Sequence, residues 1–275
     1  MDLLKNHKTV LVIGGGIAGL TAAKELVQSG IGTHLVEKSP FLGGHAANLA
    51  CKATDRCLKC NDCLVEEQLR GISQERRMHI HLNTEVEEIS REGQQFKITL
   101  RSAPQWIHPE RCTDCGLCYE KCPRAGEGAI VLAVSPHLHP RYALEPARCA
   151  YFQEGRKEKI CQSVCPEGAI NLDEKEAFTH LEADGIVLAT GYRPSDPREI
   201  KRYNFTRFQN MVTGMDLEKM LRQEGRIVRP SDGLLPKSVA FVQCVGSRDA
   251  QLHREYCSRV CCGYALRMAL RVSHE

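Results

Sequence analysis

Four cysteines spaced Cys112-x2-Cys115-x2-Cys118-x3-Cys122, with Pro123 directly after, constrain this 275-residue chain more than any other feature. The spacing wraps three thiolates around one face of an iron–sulfur cube, and the cysteine before proline goes to a neighbouring cube in two-cluster proteins. Zinc ribbons also use Cys-x2-Cys pairs, but not normally a four-cysteine run ending in proline. The chain has 15 cysteines, an odd number, so a complete intrachain disulfide framework is impossible. It is also longer than the small secreted domains that depend on disulfides, and no basic, apolar, small-residue leader opens it. The expectation is a reducing, cytoplasmic setting in which clustered cysteines bind metal or carry redox chemistry.

A second half follows the first. Cys149, Cys161 and Cys165 precede Pro166, and PEGAI after Cys165 repeats the sense of PRAGEGAI after Cys122. This internal duplication resembles a bacterial-type ferredoxin and places that domain over residues 104–172. On that resemblance one cluster takes Cys112, Cys115, Cys118 and Cys165, and the other takes Cys122, Cys149 and Cys161. The second set lacks a fourth ligand, because Glu158 stands where a Cys-x2-Cys pair places sulfur. Three readings stay open there: a four-iron cube with an oxygen or solvent ligand, a three-iron cluster, and a lost cluster.

Two further groups use the remaining cysteines. Cys51, Cys57, Cys60 and Cys63 include CLKCNDC, the three-thiolate spacing of a cube, with Cys51 near enough to be fourth. Structural zinc is the alternative for this group, as is a reactive Cys-x2-Cys dithiol at Cys57/Cys60 or Cys60/Cys63. Cys244, Cys257, Cys261 and Cys262 form the last group. Adjacent Cys261 and Cys262 cannot face one direction on a helix, so a bent helix start is expected. By spacing alone, incidental or buried cysteines explain this group as well as a cluster does.

The amino-terminal part reads as a nucleotide site. TVLVI (residues 9–13) is a β-branched run, GGGIAG follows from Gly14 to Gly19, and LTAAKELVQSG has helical spacing and stops at Gly30. Thr33–Val36 is a second apolar strand ending at Glu37, an acid 18 residues after Gly19. In such a β-α-β unit Gly14 permits the tight turn, Gly16 lets backbone approach a pyrophosphate, and Gly19 lets the helix pack on the strand. The helix amino terminus faces the phosphates and Glu37 accepts from a ribose diol. Gly15, Ala18 and Lys38 complete the candidate contacts. A resemblance to FAD-dependent disulfide-reductase-like proteins favours FAD over NAD. It rests on the glycine pair Gly43–Gly44 and on GIVLATGYRP (residues 185–194). It implies Thr190 and Gly191 near the flavin and Val86, in TEVEEI (residues 84–89), nearest the adenine.

VLVIGGGIAGLTAA, Gly43–Gly44, the inserted ferredoxin, LATGYRP and QCVGSRD…YCSRVCC together resemble the flavin- and iron–sulfur-containing A subunit of heterodisulfide reductase and its bacterial relatives. The resemblance runs over nearly the whole chain. It implies that Cys244, Cys257, Cys261 and Cys262 bind a non-standard four-iron cluster. It further implies two to four 4Fe-4S clusters in all, electron transfer between FAD and those clusters, bifurcation in some members, and cytoplasmic complexes with other subunits. The family continues beyond the point matching Glu275, so either another polypeptide supplies the rest of the flavin domain or this chain is a fragment. An NAD(P)H-dependent oxidoreductase of the glutamate-synthase small-subunit type also joins these modules, but there the ferredoxin part precedes the FAD fold. A zinc-holding, non-catalytic scaffold is the alternative from another class.

The expected fold is α/β. A Rossmann-like FAD domain covers 1–103 and 173–195 around the inserted ferredoxin domain. Residues 196–236 are a connector with a helix at Met215–Arg222, and 237–275 supply a strand and helix that open a second α/β domain. With 37 Lys+Arg against 34 Asp+Glu, the charge advertises neither nucleic acid nor membrane. No apolar run approaches the roughly 18 residues of a membrane span. His137–Arg141 (HLHPR) and Glu75–Arg77 read as solvated loop and surface. No catalytic triad, paired carboxylates or phosphate-transfer lysine emerges, and no acid–base catalyst is named.

Overall fold

The computed structural model describes residues 8–72, 77–133, 138, 141–155 and 158–274. They form two compact units, Met1–Ala47 with Leu64–Gly191 and Asn48–Cys63 with Tyr192–Glu275. The first unit runs β1 (Thr9–Ile13), α1 (Ile17–Gln28), β2 (Gly32–Val36), α2 (Leu64–Ile72), β3 (Met78–His81), β4 (Thr84–Glu92) and β5 (Gln95–Ser102). It continues with α3 (Leu117–Glu120), β6 (Ile130–Leu132), β7 (Tyr142–Leu144), α4 (Ala150–Glu154), α5 (Ile160–Ser163), β8 (Ala177–Ala183) and β9 (Gly185–Leu188).

The expected β-α-β unit is present. β3, β2, β1 and β9 form a parallel sheet in that order. Successive side chains on β1 face opposite ways. Val12 joins Leu20, Ala23 and Leu35 in a core under α1 and α2. Leu11 joins Val36, Ile98, Leu100 and Ala183 in a second core, to which the antiparallel sheet β4-β5-β8 contributes. β4 is irregular between Val86 and Glu88.

At the β3 edge, His34 is in register with His79, and Val36 with His81. The His34 ring stacks 4.9 Å from His79 and 5.2 Å from His81, and His34 Nδ1 lies 2.9 Å from His81 Nε2. Burial, then the neighbouring imidazoles His34 and His79, push His81 down to about 4.

The insertion closes on itself. Ile107 bridges Ile170, the His108 N–H donates to Ala169 O, and the Asn171 N–H donates to Trp106 O. These pairings tie together the two ends of the stretch from 104 to 172. Between them lies a separate core of Ile107, Ile130, Leu144, Ile170 and Leu172, in which Cys118, Cys149 and Cys161 are themselves buried.

The second unit is built on α6 (Gly214–Glu224) and α7 (Cys261–Ser273), with Ala50, Leu217, Leu221, Ile227 and Met268 as its core. Two expectations are corrected here. Residues 196–236 are more than a connector: α6 carries a capping box between Thr213 and Asp216 and supplies much of the core. The strand expected at the start of 237–275 does not form. Val239 and Val242 stay exposed, because the described residues of this unit offer no neighbouring strand to complete a ladder. The bent helix start is also not needed. α7 begins at Cys261, which puts both adjacent cysteines in its open first turn. Residues 134–137 and 139–140, which include most of HLHPR, and Glu75 and Arg76 lie outside the described residues. No described helix is long and apolar enough to cross a membrane.

Candidate cofactor sites

The glycine turn is built by close approach. Gly14 has φ +108°, its N–H donates to Val36 O at 2.8 Å, and a Cβ there would overlap the Ala189 carbonyl at the end of β9. A Cβ on Gly19 would overlap Gly14 O, so the helix lies directly on the turn. Gly16 differs from both, since a Cβ there would meet nothing within 4 Å. Gly16 is the N-cap of α1, with no capping side chain and no acid in the first turn. The first turn of this 12-residue helix therefore has no capping side chain, and the space beside Gly16 is open, with Ala18 exposed. That is the arrangement an anionic pyrophosphate needs.

Gly43 and Gly44 pack against the same turn. The Gly43 N–H donates to Gly15 O at 2.7 Å, Gly16 and Gly43 form a parallel bridge, and a Cβ on Gly44 would touch Gly16 Cα at 3.0 Å. Glu37 locks the other side. Its Oε2 accepts the Gly15 N–H at 2.7 Å, while Oε1 accepts the Ser39 N–H at 2.9 Å and the Ser39 hydroxyl at 2.7 Å. A carboxylate has about four lone-pair sites, so one remains for a ribose hydroxyl. Lys38, Thr190 and Gly191 are exposed, and the Ala189 N–H bonds Ile13 O at 2.8 Å, which carries Thr190 to Gly14. Val86 is half-buried against the second core, two residues after Thr84, whose N–H donates to Glu37 O at 3.0 Å. These residues fit a dinucleotide. Ser39 is a member of the site that sequence reasoning missed; the short Glu-x-Ser turn is its only signal in the chain.

The insertion gathers its thiols. Cys118 is pushed up to about 12, by burial first and then by Cys112, Cys161 and Cys115. Cys112 is raised by burial and, more weakly, by Cys165. Cys161 is pushed up to about 11, by burial first and then by Cys149 and Cys122. Thiols that raise one another's pKa are close neighbours: Cys112 pairs with Cys165 and with Cys118, and Cys161 with Cys149 and Cys122, while the Cys118–Cys161 coupling joins the two groups in one core. Buried thiols held this far from ionisation are inert without metal, and iron reverses that preference. Among the described residues no three His, Cys, Asp or Glu converge as a single metal ion requires. A cube spreads its thiolates more widely over its corners.

The loop CLKCNDC repeats the backbone of CTDCGLC. The residue before the middle cysteine is left-handed in both, Lys59 (φ 49°) and Asp114 (φ 54°). So is the residue after it, Asn61 (φ 64°) and Gly116 (φ 80°). Backbone N–H groups also point at sulfur: Lys59 to Cys57 at 3.4 Å, Ala53 to Cys51 at 3.4 Å, Arg259 to Cys257 at 3.3 Å and Ala169 to Cys165 at 3.3 Å. Hydrogen bonds of this type tune an iron–sulfur potential. In the last group, Cys262 is raised by Cys261 first and also by Cys244 and Cys257, so these four thiols are neighbours. Cys261 is lowered by the Ser258 hydroxyl, which donates to its sulfur at 3.4 Å.

Sequence reasoning also missed how the loop 51–63 is held. Lys52 is buried, and its Nζ donates to Ala50 O at 2.7 Å, Asp62 Oδ2 at 3.0 Å and Glu218 Oε2 at 2.8 Å. The buried Glu218 also accepts the Ala50 N–H at 2.8 Å. One ammonium thus joins the two ends of the cysteine loop to α6. Nothing in the spacing signals it, because Glu218 is 166 residues from Lys52.

The description "FAD dependent oxidoreductase" belongs to the family model that matches residues 9–114, and "4Fe-4S binding domain" to the one that matches 106–125. The A subunit of the H(2):CoB-CoM heterodisulfide,ferredoxin reductase of Methanothermobacter marburgensis is 34% identical over 94% of this chain and 40% of its own length. The iron-sulfur A subunit of the CoB–CoM heterodisulfide reductase of Methanocaldococcus jannaschii is 32% identical over 97% of this chain and 42% of its own length. The A subunit of a Ferredoxin/F(420)H(2)-dependent CoB-CoM heterodisulfide reductase of Methanosarcina acetivorans is 32% identical over 98% of this chain and 35% of its own length. The chain therefore spans well under half of these relatives. Across the glycine turn, the ferredoxin insertion and the last cysteine group alike, the chain belongs to the A-subunit family of heterodisulfide reductases.

Proposed function

We propose that the chain is the flavin- and iron–sulfur-dependent electron-transfer part of a cytoplasmic, heterodisulfide-reductase-like complex. The observation that carries this reading is that one compact unit holds both an uncapped helix amino terminus at a glycine turn and a cluster of thiols of which Cys118, Cys149 and Cys161 are buried. FAD would be held by Gly14, Gly15, Gly16, Ala18, Gly19, Glu37, Lys38, Gly43, Gly44, Val86, Thr190 and Gly191. The 15 cysteines would hold the clusters. Bound there, the flavin supplies the exchange between two-electron and one-electron chemistry, and the clusters carry single electrons.

The chain's own residues set the conditions. Helix α1 offers its N–H groups to the pyrophosphate, and Glu37 fixes the turn while keeping one acceptor for the ribose. The apolar core around Cys118, Cys149 and Cys161 excludes water, and N–H groups on sulfur favour the reduced state. The partners are other subunits of such a complex. The names of the relatives point to acceptors such as ferredoxin or a thiol disulfide.

The test is anaerobic reconstitution of the full chain with iron, sulfide and FAD. Flavin bands over a broad charge-transfer background, with roughly four irons for each cube, are expected. Iron well below one cube per chain would overturn the reading, and zinc in excess without iron would favour a scaffold.

A further inference from the structure

The two halves of the insertion differ at one corner. In the first half Cys115 stands three positions before Cys118. In the second, Glu158 stands three positions before Cys161. After Cys149 the chain makes α4, which ends at the left-handed Gly155 (φ 61°). Cys149 and Cys161 are buried in the insertion core, whereas Glu158 is exposed. Two of the three thiols thus lie in the core and Cys122 is half-buried, while Glu158, at the position matching the missing sulfur, faces solvent.

Other donors near that corner are already engaged. Glu154 pairs with Arg124, and Lys159 pairs with Asp173. The Tyr151 hydroxyl donates to Asp173 at 3.4 Å, Gln153 Nε2 donates to Pro146 O at 3.2 Å, and Gln162 Oε1 accepts the Leu172 N–H at 3.1 Å. Glu158 itself offers a hard carboxylate where the other corners offer soft thiolate, which is a poor match to iron in a sulfide cluster.

We infer that the centre on Cys122, Cys149 and Cys161 is ligand-differentiated: its corner beside Glu158 is a binding site for a small exogenous thiol. The inference rests on the reading that the insertion holds iron–sulfur clusters. On binding, the thiol would give its proton to solvent and its sulfur would displace the water at the corner that the chain leaves without a thiolate; no electron changes hands. The four-thiolate set of Cys112, Cys115, Cys118 and Cys165 serves as the internal control.

The experiment titrates 2-mercaptoethanol into the anaerobically reconstituted, dithionite-reduced full chain and follows the paramagnetic resonance of each cluster. One signal should change saturably while the others stay fixed. Glu158→Cys should abolish the change at unchanged iron content, because the chain then supplies its own fourth thiolate. Cys122→Ser should also abolish it, by removing a ligand of the same centre. A titration that leaves every signal unchanged, a response that survives in both variants, or a three-iron signal that excess ferrous iron does not convert would each overturn the inference. Absence of iron from the four-thiolate set as well would defeat the parent reading, and this one with it.

Discussion

The loops CTDCGLC and CLKCNDC share their left-handed positions but not their surroundings. The first belongs to an insertion whose thiols are part of its core, with Cys118, Cys149 and Cys161 all buried. The second leaves Cys51, Cys57 and Cys63 exposed, and a buried ion triad, not the sulfurs, holds it in place. In one region several of the thiols are part of the core; in the other the scaffold stands apart from the thiols. The two regions should therefore respond differently to loss of metal.

Iron removal gives the largest effect. α3 and α5 have four residues each, and β6–β7 is a lone two-stranded pair. Such elements do not stand alone in water. Stripping iron with a chelator should abolish hydrogen-exchange protection across 106–172 while β1, β2 and β9 remain protected. In the second unit α6 should stay protected through the same treatment. Equal loss in both regions would erase the distinction.

The clamp comes next. Lys52→Met leaves the buried Glu218 and the half-buried Asp62 without their cation, a change that typically costs about 3–5 kcal/mol for a buried pair. The second unit should unfold at markedly lower urea, and the resonance signal assigned to Cys51–Cys63 should disappear while the insertion's signals persist. Replacing Glu218 by Leu as well should restore most of the stability, because an apolar pair can substitute for a buried ion pair at little cost. If Lys52→Met alone leaves both quantities unchanged, the loop is held by something other than its ion triad.

What was legible in the sequence follows the same division. The β-α-β unit was readable because local spacing dictates it, and the run of cysteines from Cys112 to Cys122 announced an iron–sulfur module for the same reason. Gly14 and Gly19 are each fixed by one close backbone approach, which the glycine spacing announces. The association of residues 48–63 with 192–275 was not readable. It depends on Lys52 meeting Glu218 and on Ala50 packing with Leu217 and Met268, contacts with no local signature. The strand expected near Val239 failed for a related reason, since a strand is defined by a partner and apolar alternation cannot supply one.

The histidine stack gives a smaller, pH-dependent effect in the first unit. His81 is held near 4 in the folded chain, against about 6.5 when unfolded. The unfolded chain therefore binds more protons between these values. The stack's contribution is complete above pH 6.5 and is lost as pH falls through 4. Between pH 7.5 and 5.5 the loss is about 1 kcal/mol, and His34, lowered by burial and by His79, adds in the same direction. Urea midpoints of the parallel-sheet unit should fall over that interval, and His81→Gln should flatten the dependence. The ion triad of the second unit holds no histidine, so its transition should be nearly level over the same range.

The smallest effects lie at the position where the two loops differ by one residue. Gly116 and Asn61 both occupy left-handed backbone, which costs an ordinary L-residue about 1–2 kcal/mol and asparagine much less. Gly116→Ala adds a second penalty, because its Cβ would meet the Tyr142 hydroxyl oxygen at 3.0 Å. Asn61→Ala carries the backbone cost alone, about 1 kcal/mol. Asn61→Gly should stay within a few tenths of a kcal/mol of the parent, its relaxed φ offset by greater freedom in the unfolded chain. Bleaching of each cluster's absorbance against urea ranks the three. The order Gly116→Ala, Asn61→Ala, Asn61→Gly, from most to least damaging, is what a shared backbone in unlike surroundings requires. A Gly116→Ala variant no worse than Asn61→Ala would mean that the buried setting of the first loop adds nothing to its geometry.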